Sequence, residues 1–172
     1  MTTPLRKADA ELTPSGIYRF AIEVSSTVVD VNRHVNNVTY VQWMQDAALA
    51  HSAASGCTAL TRQLGATWVA RTHHIEYLSP AFASEQITVL TWVADFRKVR
   101  SLRRYRFVRA ADEKVLAQGE TDWVFVDSST GRPRAIPPEI KNVFVILPEG
   151  PGLNPKAEIR NPKEIRIPNS KI

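Results

Sequence analysis

Apolar and polar positions alternate over residues 18–24, with Tyr18, Phe20, Ile22 and Val24 on one side and Arg19, Ala21 and Glu23 on the other. This period of two predicts a half-buried strand. The polar run Asp30, Asn32, Arg33, His34, Asn36, Asn37 interrupts the pattern, and from Val38 to about Ser55 the period becomes helical. Val41, Met44 and Ala48 line one flank, and Tyr40, Trp43, Ala47, Ala50 and Ala54 widen it. Thr39, Gln42, Asp46 and Ala53 remain as a narrow outer stripe. So broad an apolar face belongs to a helix embedded in its fold, and Gly56 reads as its stop.

After a loop containing Gly65, four extended segments follow at 67–77, 86–96, 102–111 and 114–126, rich in Val, Ile, Thr, Tyr, Phe and Trp. Their short connections predict antiparallel pairing between neighbours in sequence. Asp112-Glu113 forms the tightest link, the turn residues 127–131 end the last strand, and Pro137-Pro138 opens a short helical turn. From Leu147 onward, Pro148, Pro151, Pro155, Pro162 and Pro168 exclude a continuous helix or a central strand. The chain thus divides into a polar extension (1–16), one domain (17–146) and a proline-rich extension (147–172). Within the domain the order is strand, long buried helix, four strands.

At 172 residues there is material for one sizeable core and too little for two ordinary domains. The single cysteine, Cys57, excludes an internal disulfide and a thiolate metal cage. No apolar run approaches the roughly 20 residues needed to span a bilayer. The polar start lacks a signal-type stretch, so the expected compartment is the cytoplasm. A net charge of +5 admits nucleic acid, a membrane surface or a small polyanion as partner.

The chemistry concentrates in Asp30-Val-Asn32-Arg-His34-Val-Asn36-Asn37-Val-Thr-Tyr40-Val-Gln-Trp43. Here a carboxylate, an imidazole and three amides stand immediately ahead of the apolar helix. Asn36 or Asn37 can cap that helix. The free amides of its first turn carry a partial positive charge suited to a developing oxyanion. Asp30 beside such donors can attack a polarised thioester carbonyl or deprotonate a water that does so. His34 can orient Asp30 or the water, or protonate the leaving group, as an imidazole does in general acid–base chemistry.

This spelling and order resemble the hotdog-fold thioesterases, the 4-hydroxybenzoyl-CoA thioesterase-like superfamily. The motif Asp30-x-Asn32-x-His34-Val-Asn-Asn-Val-x-Tyr40-x-x-Trp43 is similar to that of the acyl-acyl-carrier-protein thioesterases. The resemblance covers roughly residues 18–140. It implies an α+β domain in which a curved antiparallel sheet of about five to six strands wraps around one long central helix. It also implies a homodimer or homotetramer with active sites at the subunit boundary. By position, Asp30 matches the catalytic carboxylate, Asn32 and His34 the residues that assist it, and Asn37 the helix-start amide that polarises the carbonyl. Many relatives carry Gly where this chain has Arg33. The carrier-protein branch has acidic and Cys residues after its second strand, where this chain has Leu78, Ser79, Pro80 and Ala81. That branch also carries two hotdog units per chain, and this chain holds one.

Seven of the 22 basic residues, Arg97, Lys98, Arg100, Arg103, Arg104, Arg106 and Arg109, fall in one window without an acid. Alternation sends Arg104 and Arg106 to one face of a strand and Arg103 and Arg109 to the other, so only some can share a ligand. The resemblance implies that basic residues near this hairpin meet the phosphates of coenzyme A, which guanidinium groups bind bidentately. Arg97, Lys98, Arg100, Arg103 and Arg104 are the candidates. His73 and His74 point to opposite strand faces with no third ligand at a suggestive spacing, so no metal site is expected. Cys57 reads as a buried, inert thiol.

The expectation is an acyl-CoA thioesterase that needs no cofactor beyond the coenzyme A of its substrate and contacts neither nucleic acid nor membrane. Two alternatives remain open: an acyl-acyl-carrier-protein thioesterase, and a non-catalytic acyl-CoA-binding hotdog module.

Overall fold

A computed structural model describes residues 10–151. The elements are β1 (Glu11–Leu12), β2 (Tyr18–Glu23), α1 (Asn37–Ala54), α2 (Cys57–Gln63), β3 (Ala66–Tyr77), β4 (Gln86–Phe96), β5 (Arg100–Arg109), β6 (Val115–Asp127) and α3 (Pro138–Lys141). The strands form one antiparallel sheet in the order β1-β2-β4-β5-β6-β3. It curves around α1, the α+β hotdog arrangement that the resemblance implied.

One pairing departs from expectation. β3 lies beside β6, not beside β4. The linker 78–85 is tied across the end of the sheet by Val35 N–H to the Ala81 carbonyl (2.9 Å) and Val24 N–H to the Glu85 carbonyl (2.9 Å). That crossing delivers β4 to β2 and leaves the twelve residues of β3 as an edge.

The core between α1 and the sheet joins Tyr40, Trp43, Met44, Ala47 and Ala48 to Ile22, Ile87, Val89, Tyr105, Phe107 and Leu116. The helical period assigned Tyr40, Trp43, Met44, Ala47 and Ala48 to this face correctly, but it included Ala54, which is exposed, and omitted His51, which is 1% exposed. α1 packs mainly on β2 and β4. It also meets β6 at Gly119, where a Cβ would stand 2.8 Å from the His74 carbonyl and 3.2 Å from Met44 Cε. Gly56 takes the left-handed backbone (φ 80°) that ends α1 and starts α2. Residues 57–63 read as loop from sequence, because seven residues are too few to establish a period.

On the other face, Ile17, Leu90, Trp92, Ala94 and Val108 form a second apolar cluster, joined by Leu147. Residues 146–151 close over it. Leu147 N–H donates to the Val93 carbonyl (3.0 Å), and Pro151 is buried. The first residues assigned to the proline-rich extension therefore belong to the packed domain. Residues 152–172, the rest of that extension, and residues 1–9 of the amino-terminal one lie outside the described residues. No helix among the described residues is long and apolar enough to cross a membrane.

Candidate active site

The motif folds as a closed turn followed by a capped helix. Val29 and Val35 form an antiparallel bridge, and between them Asp30 N–H donates to the His34 carbonyl (2.8 Å). Asp30 Oδ1 accepts from Asn32 N–H (2.8 Å) and His34 N–H (3.3 Å). The side chain thereby shapes the turn that carries it. Arg33 takes φ 64°, the left-handed conformation for which Gly is favoured, at the position where many relatives have Gly. No hydrogen bond reaches Asp30 Oδ2 among the described residues, so half of a half-buried carboxylate remains available.

Asn36 is the N-cap, its Oδ1 accepting from Val38 N–H (3.0 Å), and its own N–H donates to the Val28 carbonyl (2.9 Å). Asn37 is the first helical residue. Its N–H has no acceptor among the described residues and stands at the positive end of an 18-residue helix. Its carbonyl accepts from the Tyr77 hydroxyl at 3.1 Å, which ties the helix start to the end of β3. Tyr77 packs edge-on against Tyr40, whose hydroxyl burial pushes up to about 12. The sequence reading placed Tyr77 only at a strand end, because a contact across 40 residues has no local signal. His34 and Asn32 are exposed, and the His34 ring meets Phe82 edge-on at 5.4 Å.

The basic residues do not form one site. Arg97 and Lys98 are exposed in the β4–β5 turn, where Arg97 pairs with Asp95 (3.0 Å). Arg100 pairs with Asp122 (2.9 Å). Register places this turn at the end of the sheet opposite the Asp30 loop. Ile22 pairs with Ile87 and Ile87 with Arg109 at the loop end, and β5 runs about 30 Å from there to Arg100. Arg104 faces the outer side of the sheet, donating to the Pro148 carbonyl (2.9 Å) and pairing with Glu120 (3.4 Å).

Arg103 departs most from the expectation of a phosphate-binding surface. It is 6% exposed and lies under the C-terminal half of α1, with Nη1 2.7 Å from His51 Nδ1 and 3.2 Å from Thr91 Oγ1. Burial first, and the neighbouring guanidinium second, lower the His51 pKa to about 3, so the ring is neutral and Nδ1 accepts. His51 in turn stacks on Tyr18 and meets Phe144 edge-on. A polar residue seven positions after Met44 on an otherwise apolar face was the available sequence signal.

Cys57 is buried, its Sγ 3.6 Å from Thr61 Oγ1. His73 faces α1, with Nδ1 2.9 Å from Thr121 Oγ1, and His74 lines the outer side with Glu76 and Gln118. Among the described residues, no group of three or more His, Cys, Asp or Glu is placed to hold a metal ion.

The sequence pattern of the thioesterase-like superfamily matches residues 24–144, from the end of β2 to beyond α3. The chain belongs to the thioesterase-like superfamily. Its reaction class is thioester hydrolysis. A search of curated proteins returned no match. Among solved structures, this thioesterase-like chain is similar to the probable thioesterase YbaW from Escherichia coli, with TM-score 0.68 and 20% identity over 73% of this chain and 94% of that one. It is similar to the protein SAV2348 from Staphylococcus aureus in complex with CoA, with TM-score 0.68 and 19% identity over 74% and 80%. It also resembles the 12:0-ACP thioesterase from Umbellularia californica, with TM-score 0.68 and 19% identity over 75% of this chain and 51% of that one. At these identities the structural likeness speaks for the fold.

Proposed function

We propose that the protein is an acyl-CoA thioesterase in which Asp30 is the nucleophile or the general base. One observation carries this reading: a carboxylate with an uncommitted oxygen lies in a closed turn that leads into a long helix whose first amide is unpartnered among the described residues. In this reading the Asn37 N–H polarises the thioester carbonyl. Asp30 either attacks the carbonyl carbon or takes a proton from the water that does so. The carbon–sulfur bond then breaks, and the thiolate leaves with a proton that His34, held near Phe82, can supply; where Asp30 has attacked, water then cleaves the acyl–Asp30 anhydride and releases the acid. Asn32 assists through the turn it forms with Asp30.

The assignment of Arg97, Lys98 and Arg100 to the coenzyme A phosphates requires a second subunit, because the turn that bears them is about 30 Å from Asp30 within one chain. β3 is a long exposed edge, with Val69 50% exposed. Two-fold antiparallel pairing of that edge with its copy would set the Tyr77 end of one β3 against the Ala66 end of the other. Each Asp30 loop would then approach the partner's arginine turn. Unpaired edges of this length are normally covered, and exposed Val38, Leu78 and Phe82 beside the loop add apolar surface. The structural neighbour in complex with CoA supports the choice of carrier.

The test is thiol release from one acyl group presented on coenzyme A and on acyl carrier protein. The reading expects a higher kcat/KM with coenzyme A. Preference for acyl carrier protein would replace the carrier and retain the chemistry.

A further inference from the structure

Beneath the C-terminal half of α1 lies a cavity of about 60 Å³, lined by Ala48, Ser52, Trp68, Val93 and Phe144, with Arg103 and Trp123 also on its wall. It has room for about four or five waters, or for a carboxylate with one or two methylenes. Arg103 is more than nine-tenths buried, yet no carboxylate pairs with it among the described residues. Its two hydrogen bonds, to His51 and Thr91, both use Nη1. Nε and Nη2 have no hydrogen bond among the described residues, and the guanidinium, 5.7 Å over the Phe144 ring, lines the cavity. On the same wall, Trp123 turns its buried Nε1 toward the Tyr105 hydroxyl. A buried cation is normally paired, and buried donors are normally satisfied. A buried guanidinium on a cavity wall, with no carboxylate beside it among the described residues, describes a site that lacks its anion.

The cavity also has a fixed place relative to the helix start. Ala48 and Ser52 follow Asn37 by 11 and 15 residues on α1, about 16 and 22 Å along its axis. α1 stands chiefly on β2 and β4, and β3 runs antiparallel to it from Trp68 beside the cavity to Tyr77 beside Asn37. An extended long-chain acyl group with its carbonyl at Asn37 spans that distance.

We propose that the Arg103 cavity receives a carboxylate at the far end of a long acyl chain, making ω-carboxyacyl thioesters the favoured substrate class. This rests on the thioesterase reading for the position of the carbonyl. The Arg103 nitrogens not used by His51 and Thr91 take the carboxylate, and neutral His51 fixes the guanidinium through Nη1 without cancelling its charge.

The test uses calorimetric titration with non-hydrolysable thioethers of coenzyme A. S-dodecyl-, S-tetradecyl- and S-hexadecyl-CoA are compared with counterparts carrying a terminal carboxyl in place of the terminal methyl. At the matching length the carboxyl form is expected to bind about ten- to a hundredfold tighter, the range of a charged hydrogen-bonded pair. Arg103→Met is expected to abolish the difference while the methyl forms still bind. Equal or tighter binding of the methyl forms by the wild-type protein at every length would overturn the proposal. Thiol release from the matching thioesters reports separately on hydrolysis, so a protein that binds the carboxyl forms without releasing thiol would contradict the thioesterase reading alone.

Discussion

The Tyr77 hydroxyl donates to the Asn37 carbonyl at 3.1 Å, fixing the first residue of α1 against the end of β3 while leaving the Asn37 N–H directed away from the helix. The amide is thus held in place by its neighbours, and the Asn37 side chain takes no part in that arrangement.

Substitution at Asn37 separates backbone from side chain. Asn37→Ala is expected to keep most of the activity. Asn37→Pro removes the N–H at the first helical position, where proline is well tolerated, and Asn36 already has the extended backbone (φ −61°, ψ 138°) that a following proline requires. The proline variant should fold with a near-normal melting temperature and lose about 10²- to 10³-fold in kcat, the effect of deleting an oxyanion donor. Circular dichroism with thiol release checks both halves.

His51 makes stability depend on acid. Its pKa falls from 6.5 in the unfolded chain to about 3 in the fold, so between these values the unfolded state binds the extra proton. Its contribution is fully present above about pH 6.5 and is lost as pH falls toward 3. Over that window it amounts to a few kcal/mol by linkage. Urea midpoints should drop from pH 7 to pH 4, and His51→Gln should flatten that slope while lowering stability at pH 7.

Gly119 admits α1 to the sheet. Gly119→Val drives a side chain into Met44 and the His74 carbonyl and should cost about 1–3 kcal/mol, the range for overpacking. Gly65→Ala, at a position with open space but φ 58°, serves as the comparison for backbone strain alone. Denaturant melts of both variants measure the difference.

The subunit arrangement is open to complementation. Asp30→Asn and the triple variant Arg97→Ala, Lys98→Ala, Arg100→Ala should each be impaired alone. Mixed after unfolding and refolding, they should regain activity, because one site of each heterodimer joins an intact Asp30 to the partner's intact turn. No recovery would place both groups in a single chain's site and contradict the paired-edge arrangement.

The features legible in the sequence were those with a local signal. The period of two gave β2, the broad apolar face gave α1, and the Asp30-to-Trp43 spelling identified the loop whose turn the structure closes through Asp30 Oδ1. What escaped depends on distance along the chain. The β3–β6 pairing joins residues some 40 to 60 positions apart, and Arg103 meets His51 across 52. Strand alternation separated Arg103 from Arg104 correctly, but only the packing of α1 determines which side is interior. The arginine window is continuous along the chain but already divided by strand alternation, and in space it comprises a turn, a contact to the segment 146–151 and a buried cation.

Asp30→Asn separates the chemistry of the Asp30 carboxylate from its part in shaping the turn. The Asn side chain keeps an oxygen to accept from Asn32 and His34, so the turn should persist. Binding of a non-hydrolysable S-acyl mimic should be unchanged, while kcat falls about 10²- to 10⁴-fold. Wild-type turnover in that variant would contradict the role assigned to Asp30.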